Sequence, residues 1–243
     1  MKLIVAGATG LVGSEIIRQS LQVREITQVI ALARKSVQIG DNLDSSKLKS
    51  VVVRDYGEYS DDAKAELAGA DACIWTVAVT PFRTSSFDFA EVKRVCQDCT
   101  LAGFKAIYEA GPARPFRFLY FSAEGTPQDP TKKPALMGDY QIMRCETENM
   151  VRQLPVEYEG VEVCIAHPGV VTNSTTWSRA ALHFLFKMIN AITQAIPNVD
   201  RGELSAAVLN QAVAGFKKSL LSNADLVRLG KEVLRASNSV RRD

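Results

Sequence analysis

Short apolar runs alternate along this chain with longer stretches in which apolar residues recur every three or four positions. Runs of Val, Ile, Leu and Ala without polar alternation are typical of parallel strands that are buried on both faces. Six such runs are bounded by turn residues and predict strands: Leu3–Ala6, Val29–Ala33, Val51–Val53, Ala72–Thr76, Phe118–Ser122 and Val161–Ala166.

The intervening stretches follow the spacing of amphipathic helices. The predicted helices are Leu11–Leu21, Asp61–Leu67, Phe87–Glu109, Tyr140–Gln153, Ala180–Ile196, Leu204–Phe216 and Asp225–Ala236. Strands that alternate with helices imply right-handed crossover connections. The predicted fold class is therefore α/β, a doubly wound parallel sheet of the Rossmann type with helices on both faces, in a single domain over residues 1–243.

Composition narrows the classes of function. A chain of 243 residues that is 47% hydrophobic buries a sizeable core without disulfides or metals. Its net charge of +2 gives no field that favours nucleic acid or an anionic membrane. Two histidines and five scattered cysteines argue against a metal site and a disulfide framework. With no apolar stretch of about 18 residues, no membrane span is predicted, and we expect a cytoplasmic protein that acts on a small molecule.

A glycine-rich loop joins the first predicted strand to the first helix. Its spacing, G-x-x-G-x-x-G, is a variant of the G-x-G-x-x-G pattern that lets backbone N–H groups at a helix start reach a pyrophosphate. The predicted dinucleotide-binding residues of the loop are Gly7, Thr9, Gly10, Leu11, Val12 and Gly13. The alternative is a tight turn that binds nothing. Because these glycines interrupt the apolar start, we interpret that start as a strand rather than as a signal peptide.

The end of the second predicted strand carries two cations, Arg34 and Lys35, and the next acid is Asp41. NAD-binding proteins of this fold usually present an acid there to the ribose 2′-hydroxyl. A guanidinium and an ammonium suit a 2′-phosphate instead. The sequence therefore favours NADP(H) over NAD(H), the alternative being that both residues begin a solvated loop.

Ser122 ends the fifth predicted strand, and Tyr140 and Arg144 follow on a helix. Together with the glycine loop, the run Phe118–Ser122 and the turn His167-Pro168-Gly169, these residues make the chain resemble the atypical short-chain dehydrogenases/reductases, NmrA-like or Tat-interacting-protein-like, from Met1 to about Gly169. The resemblance implies an NADP(H)-dependent oxidoreductase that reduces a carbonyl of a small, rather apolar molecule. In that mechanism Ser122 holds the carbonyl, Tyr140 protonates its oxygen, and Arg144 holds the ribose and tunes Tyr140.

Arg144 stands where the superfamily has lysine. Residues four apart share a helix face, so the cation would lie beside the phenol of Tyr140. A unit charge about 5 Å away at a dielectric constant near 20 contributes roughly 3 kcal/mol, or about two pKa units, toward ionisation. Arginine keeps the charge but does not readily pass protons along a relay. Two alternatives stay open: a catalytically weak or inactive dinucleotide-binding regulator, and a non-redox isomerase or lyase.

The resemblance also implies further cofactor contacts, which are Asp55, Val77, Ala78, Pro168 and Val170. It assigns the portion from about residue 170 to covering the substrate, with Trp177, Phe184 and Met188 lining an apolar pocket. Alternatively, this apolar portion packs against the body of the protein or against a second subunit of a homodimer. Cys96 and Cys99 form a C-x-x-C in mid-helix, where core packing is favoured over redox chemistry.

Overall fold

A parallel sheet of seven strands forms the centre of the protein. The computed structural model describes residues 1–38, 44–80, 87–135, 137–172 and 197–240. The strands are β1 (Lys2–Ala6), β2 (Gln28–Ala33), β3 (Leu48–Val52), β4 (Ala72–Trp75), β5 (Phe116–Phe121), β6 (Val161–Ala166), β7 (Val170–Thr172), β8 (Asn198–Asp200) and β9 (Leu220–Leu221). The main sheet has the order β3-β2-β1-β4-β5-β6-β9, and β7 pairs with β8 in a separate parallel ribbon.

Helices follow most of the strands. They are α1 (Leu11–Ser20), α2 (Asp61–Leu67), α3 (Phe89–Lys93), α4 (Cys99–Glu109), α5 (Gly138–Glu157), α6 (Arg201–Ala214) and α7 (Asn223–Val240), with a π-helical segment over Arg94–Asp98 between α3 and α4. Side chains begin several of them: the Ser60 hydroxyl accepts from the Ala63 N–H before α2, and the Asp200 carboxylate accepts from the Gly202 N–H before α6.

Both faces of the sheet are buried. On β1, Leu3 and Val5 lie in one apolar cluster, and Ile4 and Ala6 lie in the cluster on the opposite face. The first cluster is completed by α1, α6 and α7, and the second by α2, α4 and α5. This double covering explains why the strands read as continuous apolar runs.

The predicted Rossmann-type sheet and its six strands are confirmed. The predicted helix over 87–109 is wrong in one respect, because a π-helical segment interrupts it; there the Val79 N–H donates to the Cys96 sulfur at 3.3 Å. The predicted helix Ala180–Ile196 lies outside the described residues, and the single domain over 1–243 stays a prediction. Within the described ranges no helix combines the length and apolarity that a bilayer crossing requires.

Strand order reverses between β1 and β4, the neighbours at the centre of the sheet. In open α/β sheets, ligands bind in the crevice beyond the carboxyl ends of the strands at such a switch point. The segments that leave β1 and β4 there are the glycine loop and the segment beginning at Thr76. The topology therefore places the candidate site at this edge.

Candidate functional site

The glycine loop is packed too closely for larger residues. Gly7 has φ of 81°, and a Cβ atom there would lie 2.4 Å from the Thr76 hydroxyl oxygen. A Cβ atom on Gly13 would lie 2.3 Å from the Gly7 carbonyl oxygen. Thr76 donates in turn to the carbonyl of Ala6 at 2.7 Å. The loop is thereby held against the end of β4.

Helix α1 begins at this loop without a side-chain cap. Its N-cap residue is Gly10, whose position offers no side-chain oxygen to the first turn. The first N–H groups of a helix have no intrahelical acceptor. Thr9, Gly10 and Leu11 are exposed, so these donors lie at the surface of the crevice. A phosphate group fits this arrangement, because it accepts several N–H bonds at the positive end of a helix.

The two cations predicted to bind a 2′-phosphate, Arg34 and Lys35, are exposed directly after β2. The phenol of Tyr56 donates to the Leu32 carbonyl, which also accepts from the Gly7 N–H. Burial raises the pKa of Tyr56 to about 12, and the nearby charge of Arg34 opposes that rise. The charge of Arg34 therefore acts on Tyr56, whose phenol shares the Leu32 carbonyl with the Gly7 N–H.

Asp55, the predicted adenine contact, is already engaged. Its carboxylate accepts from the Gly57 N–H at 2.7 Å and from Arg94 Nη1 at 3.0 Å. Arg94 also forms a two-point ion pair with Glu91. The hydrogen bond from Arg94 is the main reason that the pKa of Asp55 is lowered. The adenine role of Asp55 stays a prediction.

The segment after β4 contacts the helix that carries Tyr140. Val77 is buried and Ala78 is exposed. The next residue, Val79, accepts a hydrogen bond at its carbonyl from the Tyr140 phenol at 3.0 Å. Val79 is therefore fixed from two sides, since its N–H contacts Cys96.

Tyr140 is 9% exposed and protonated at neutral pH. Burial raises its pKa, and the positive charge of Arg144 opposes this without reversing it. The charge of Arg144 lowers the pKa of Tyr140, as expected, but the pKa as a whole is raised above its ordinary value. Desolvation outweighs the charge because the phenolate would be buried. The phenol is a proton donor in this state.

Arg144 lies inside the protein, 2% exposed, rather than on the surface of α5. Its Nη2 donates to the carbonyl of Phe121, the last residue of β5. Its guanidinium carbon lies 5.0 Å from the centre of the Tyr120 ring. Within the described part of the chain, Nε and Nη1 have no hydrogen-bond partner. The buried cation thus has two donors left for an acceptor.

Ser122 belongs to a buried polar cluster with Glu148 and His167. The Ser122 hydroxyl donates to Glu148 Oε1, and His167 Nε2 lies 2.8 Å from the same oxygen. Arg152 Nη2 donates to Glu148 Oε2 at 2.8 Å. Burial alone would raise the pKa of Glu148, but the hydrogen bonds and charges of His167, Ser122 and Arg152 hold it below its ordinary value.

The predicted contacts after β6 take part in backbone pairing. The Pro168 carbonyl accepts from the Glu124 N–H at 2.9 Å, and the Val170 N–H donates to the Pro197 carbonyl at 3.0 Å. Gly169 is needed at this turn, because a Cβ atom there would lie 1.7 Å from the Pro197 oxygen. Contacts of Pro168 and Val170 with a nicotinamide stay a prediction.

Helix α5 brings the predicted catalytic residues to one edge but not into contact with each other. Tyr140, Arg144, Glu148 and Arg152 follow one another every four residues and so share one face. Tyr140 bonds to the segment after β4, Arg144 to the end of β5, and Glu148 to residues after β5 and β6. Sequence reasoning missed Glu148, although its spacing of four from Arg144 was a usable signal.

The C-x-x-C motif lies in the protein interior. Cys96 and Cys99 are buried, and burial raises the pKa of Cys99 to about 12, which supports the packing interpretation of the C-x-x-C. Among the described residues no group of His, Cys, Asp and Glu could hold a metal ion. Trp177, Phe184 and Met188 lie outside those residues. A hollow of about 110 Å³ beside Tyr108 and Phe116 lies near the amino end of β5, away from the site.

Comparisons with known proteins agree with this geometry. The sequence matches the NAD(P)H-binding family over residues 7–185, which is more than half of the chain. It is 31% identical over 130 residues to the leucinostatins biosynthesis cluster protein T of Purpureocillium lilacinum, a match that covers 51% of this chain and 44% of that protein. The aligned region is thus less than half of that relative's length.

Solved structures show the same fold. MoeE5, in complex with UDP-glucuronic acid and NAD, superposes with a TM-score of 0.67 at 15% identity, over 96% of this chain and 82% of that one. The PhqB reductase domain from Penicillium fellutanum has a TM-score of 0.67 at 17% identity, over 92% and 67%. A short-chain dehydrogenase/reductase of Saccharomyces cerevisiae has 0.64 at 14%, over 94% and 98%. The chain therefore belongs to the NAD(P)H-binding family and has a Rossmann fold.

Proposed function

We propose that this protein is an NADP(H)-dependent reductase of a carbonyl group on a small, rather apolar molecule. The observation that carries the proposal is the buried phenol of Tyr140, which burial keeps protonated at the carboxyl edge of the sheet. A carbonyl oxygen that becomes an alkoxide needs such a proton donor. The family and the uncapped start of α1 support dinucleotide binding at the same edge.

The cofactor is assigned to residues that fit it. The N–H groups of Thr9, Leu11, Val12 and Gly13 would hold the pyrophosphate, since the Gly10 N–H already donates to the Gly7 carbonyl at 2.9 Å. Arg34 with Lys35 would hold a 2′-phosphate. The two unpartnered nitrogens of Arg144 are buried in this state and would bind ribose hydroxyl oxygens once they are uncovered. When bound, a dihydronicotinamide supplies the hydride, which the side chains of the protein lack.

Tyr140 would deliver its proton to the substrate oxygen. To do so the phenol must leave the Val79 carbonyl, which now accepts its hydrogen bond. Rotation of the side chain or movement of the segment after β4 would make that exchange. Arg144 would stabilise the resulting phenolate, since its charge already acts on Tyr140.

A second candidate function is a dinucleotide-binding regulator with little or no turnover. One observation favours it: Ser122, Tyr140 and Arg144 are each bonded inside the protein, to Glu148, Val79 and Phe121 respectively. A protein that only senses the redox state of its cofactor needs none of these groups free.

Measuring NADPH consumption with a panel of ketones and aldehydes distinguishes the reductase from the regulator. As a reductase, the wild type oxidises NADPH with at least one carbonyl, and Tyr140→Phe lowers kcat by about 100-fold or more while NADPH still binds. Tyr158→Phe, a change of the same kind in an aromatic cluster elsewhere, should leave kcat near the wild-type value. If the wild type and Tyr140→Phe both bind NADPH but neither oxidises it with any carbonyl, the result would contradict the reductase proposal and favour the regulator.

A further inference from the structure

Glu148 is a buried carboxylate to which no role has been assigned above. It is 2% exposed, and its Oε1 accepts from the Ser122 hydroxyl and lies 2.8 Å from His167 Nε2. Its Oε2 accepts from Arg152 Nη2 at 2.8 Å. Burial alone would raise the pKa of Glu148, but the bonds and charges of these partners hold it below its ordinary value, so the carboxylate is ionised at neutral pH.

The single proton of the Ser122 hydroxyl is committed to this carboxylate. An ionised carboxylate only accepts hydrogen bonds, so Ser122 is the donor of the pair. A hydrogen bond to a charged acceptor is stronger than one to a neutral carbonyl. A substrate carbonyl therefore does not compete with Glu148 for the proton, and Ser122 is not available to it as a donor.

The Ser122 oxygen keeps its capacity to accept. In the described part of the chain its other polar neighbour is the Thr126 hydroxyl, at 3.3 Å. Thr126 carries one proton, which it donates to the Ala123 carbonyl at 2.8 Å, so it supplies none to Ser122. A ligand that binds Ser122 must therefore bring a hydrogen-bond donor of its own.

Ser122 lies at the same edge of the sheet as the proposed proton donor. It directly follows β5, whose last residue, Phe121, accepts from Arg144 at its carbonyl. Tyr140 precedes Arg144 by about one helical turn on α5, and the charge of Arg144 acts on the Tyr140 phenol. A small molecule that takes its proton from Tyr140 therefore reaches the end of β5, where Ser122 lies.

The charges around Ser122 decide which kind of donor fits. The charge of Glu148 is balanced by Arg152. The buried guanidinium of Arg144 is not balanced in the same way: its Nη2 donates to a neutral carbonyl, and its Nε and Nη1 have no hydrogen-bond partner within the described residues. A substrate ammonium would be repelled by this cation. Neutral donors fit, and these are a hydroxyl and an amide N–H.

We propose that Glu148 is a positioning residue that sets substrate specificity through Ser122: it makes the serine hydroxyl an acceptor, which selects carbonyl compounds that carry a neutral hydrogen-bond donor close to the carbonyl group. This inference rests on the proposed function and names the class of its substrate. Ser122 binds the substrate and transfers no proton, so the proton of the reduction still comes from Tyr140. The resemblance gives Ser122 the carbonyl oxygen; in this proposal Ser122 holds the neighbouring donor instead.

Matched substrates test the inference. With NADPH, each ketone is compared in three forms: with a hydroxyl on the first or second carbon from the carbonyl, with that hydroxyl methylated, and with a methyl group in its place. An acetamido ketone and its N-methyl form make the same comparison for an amide N–H. We expect kcat/KM of the donor-bearing form to exceed that of its matched forms by about 10-fold or more, because only that form can donate to Ser122.

Two variants assign the preference to the Ser122–Glu148 pair. Ser122→Ala removes the acceptor, so the donor-bearing and methylated forms should differ by less than about 2-fold in kcat/KM. In Glu148→Gln the amide N–H group can donate to Ser122 and free the serine proton, so the preference should likewise be lost. Glu146→Gln, a change of the same kind at a partly exposed position paired with Lys93, should retain it. A merely structural role would lower kcat/KM for both forms and leave their ratio unchanged.

The results distinguish this inference from the proposed function. A wild type that reduces carbonyls without preferring the donor-bearing forms overturns the inference alone. A preference that persists in Ser122→Ala or in Glu148→Gln does the same. A wild type that reduces no carbonyl overturns the proposed function, and the inference with it.

Discussion

The guanidinium carbon of Arg144 lies 5.0 Å from the centre of the Tyr120 ring. The same side chain donates to the carbonyl of Phe121, so a cation is built into the end of β5. A lysine at this position would carry its charge on an ammonium group at the end of a flexible side chain. It would lack the planar guanidinium that stacks on an aromatic ring while it donates hydrogen bonds. Arg144 is therefore part of the structure of the strand end as well as of the candidate site.

Arg144→Lys should lower the free energy of unfolding by about 1–3 kcal/mol, because the stacked and bonded geometry is lost. Urea denaturation measures this change. Arg228→Lys, at an exposed position on α7, should change stability by no more than about 0.5 kcal/mol. A lysine variant as stable as the wild type would show that Arg144 is not structural.

Arg34→Ala should weaken NADPH binding by about 10-fold or more and change NADH binding by less than about 2-fold, because only NADPH carries the 2′-phosphate. Fluorescence titration of each cofactor measures both. Arg24→Ala removes another exposed cation, which lies before β2 at its opposite end, and should alter neither affinity. Equal weakening of both cofactors by Arg34→Ala would refute the 2′-phosphate assignment.

Gly13→Ala should abolish dinucleotide binding or destabilise the fold by about 2 kcal/mol or more, because its Cβ would lie 2.3 Å from the Gly7 carbonyl oxygen. Gly10→Ala should be milder, since its Cβ would lie 3.1 Å from that oxygen. Thermal unfolding with and without NADPH compares the two variants. The reverse ranking would contradict the packing of the loop.

Glu148 should make stability depend on pH in the acid range. Its pKa is lowered in the folded protein, so the stability that it contributes is present above its ordinary value of 4.5 and is lost as pH falls through the folded value. The wild type should thus lose more stability on acidification than Glu148→Gln, as measured by urea midpoints from pH 7 down to about pH 3. Parallel curves for the two proteins would show that Glu148 is not held ionised.

The strands of the sheet could be predicted from the sequence, but the side-chain contacts at the carboxyl edge of the sheet could not. Apolar runs such as Ala72–Trp75 predict strands because a strand that is buried on both faces is apolar at every position. Strands of two or three residues, such as Leu220–Leu221, carry no period of their own. The glycine loop could be predicted because phosphate binding requires residues without side chains at fixed positions, and this requirement appears in the sequence as regularly spaced glycines.

The candidate site was harder to predict, because hydrogen bonds between residues that are distant in the sequence leave no local sequence pattern. Ser122 and Tyr140 were found from strand ends and helix spacing, but their partners, Glu148 and the Val79 carbonyl, come from other elements. The net pKa shift of Tyr140 was missed for a related reason. Its direction depends on burial, which the four-residue spacing to Arg144 does not report.

Transfer of deuterium from NADPH tests the central claim most directly. A panel carbonyl is incubated with the protein and NADPH deuterated at one or the other C4 position, and the product is examined by mass spectrometry. The proposed reductase predicts one deuterium atom on the new alcohol carbon from one of the two cofactors. Conversion of substrate without deuterium from either, or NADPH binding with no conversion of any carbonyl, would contradict it.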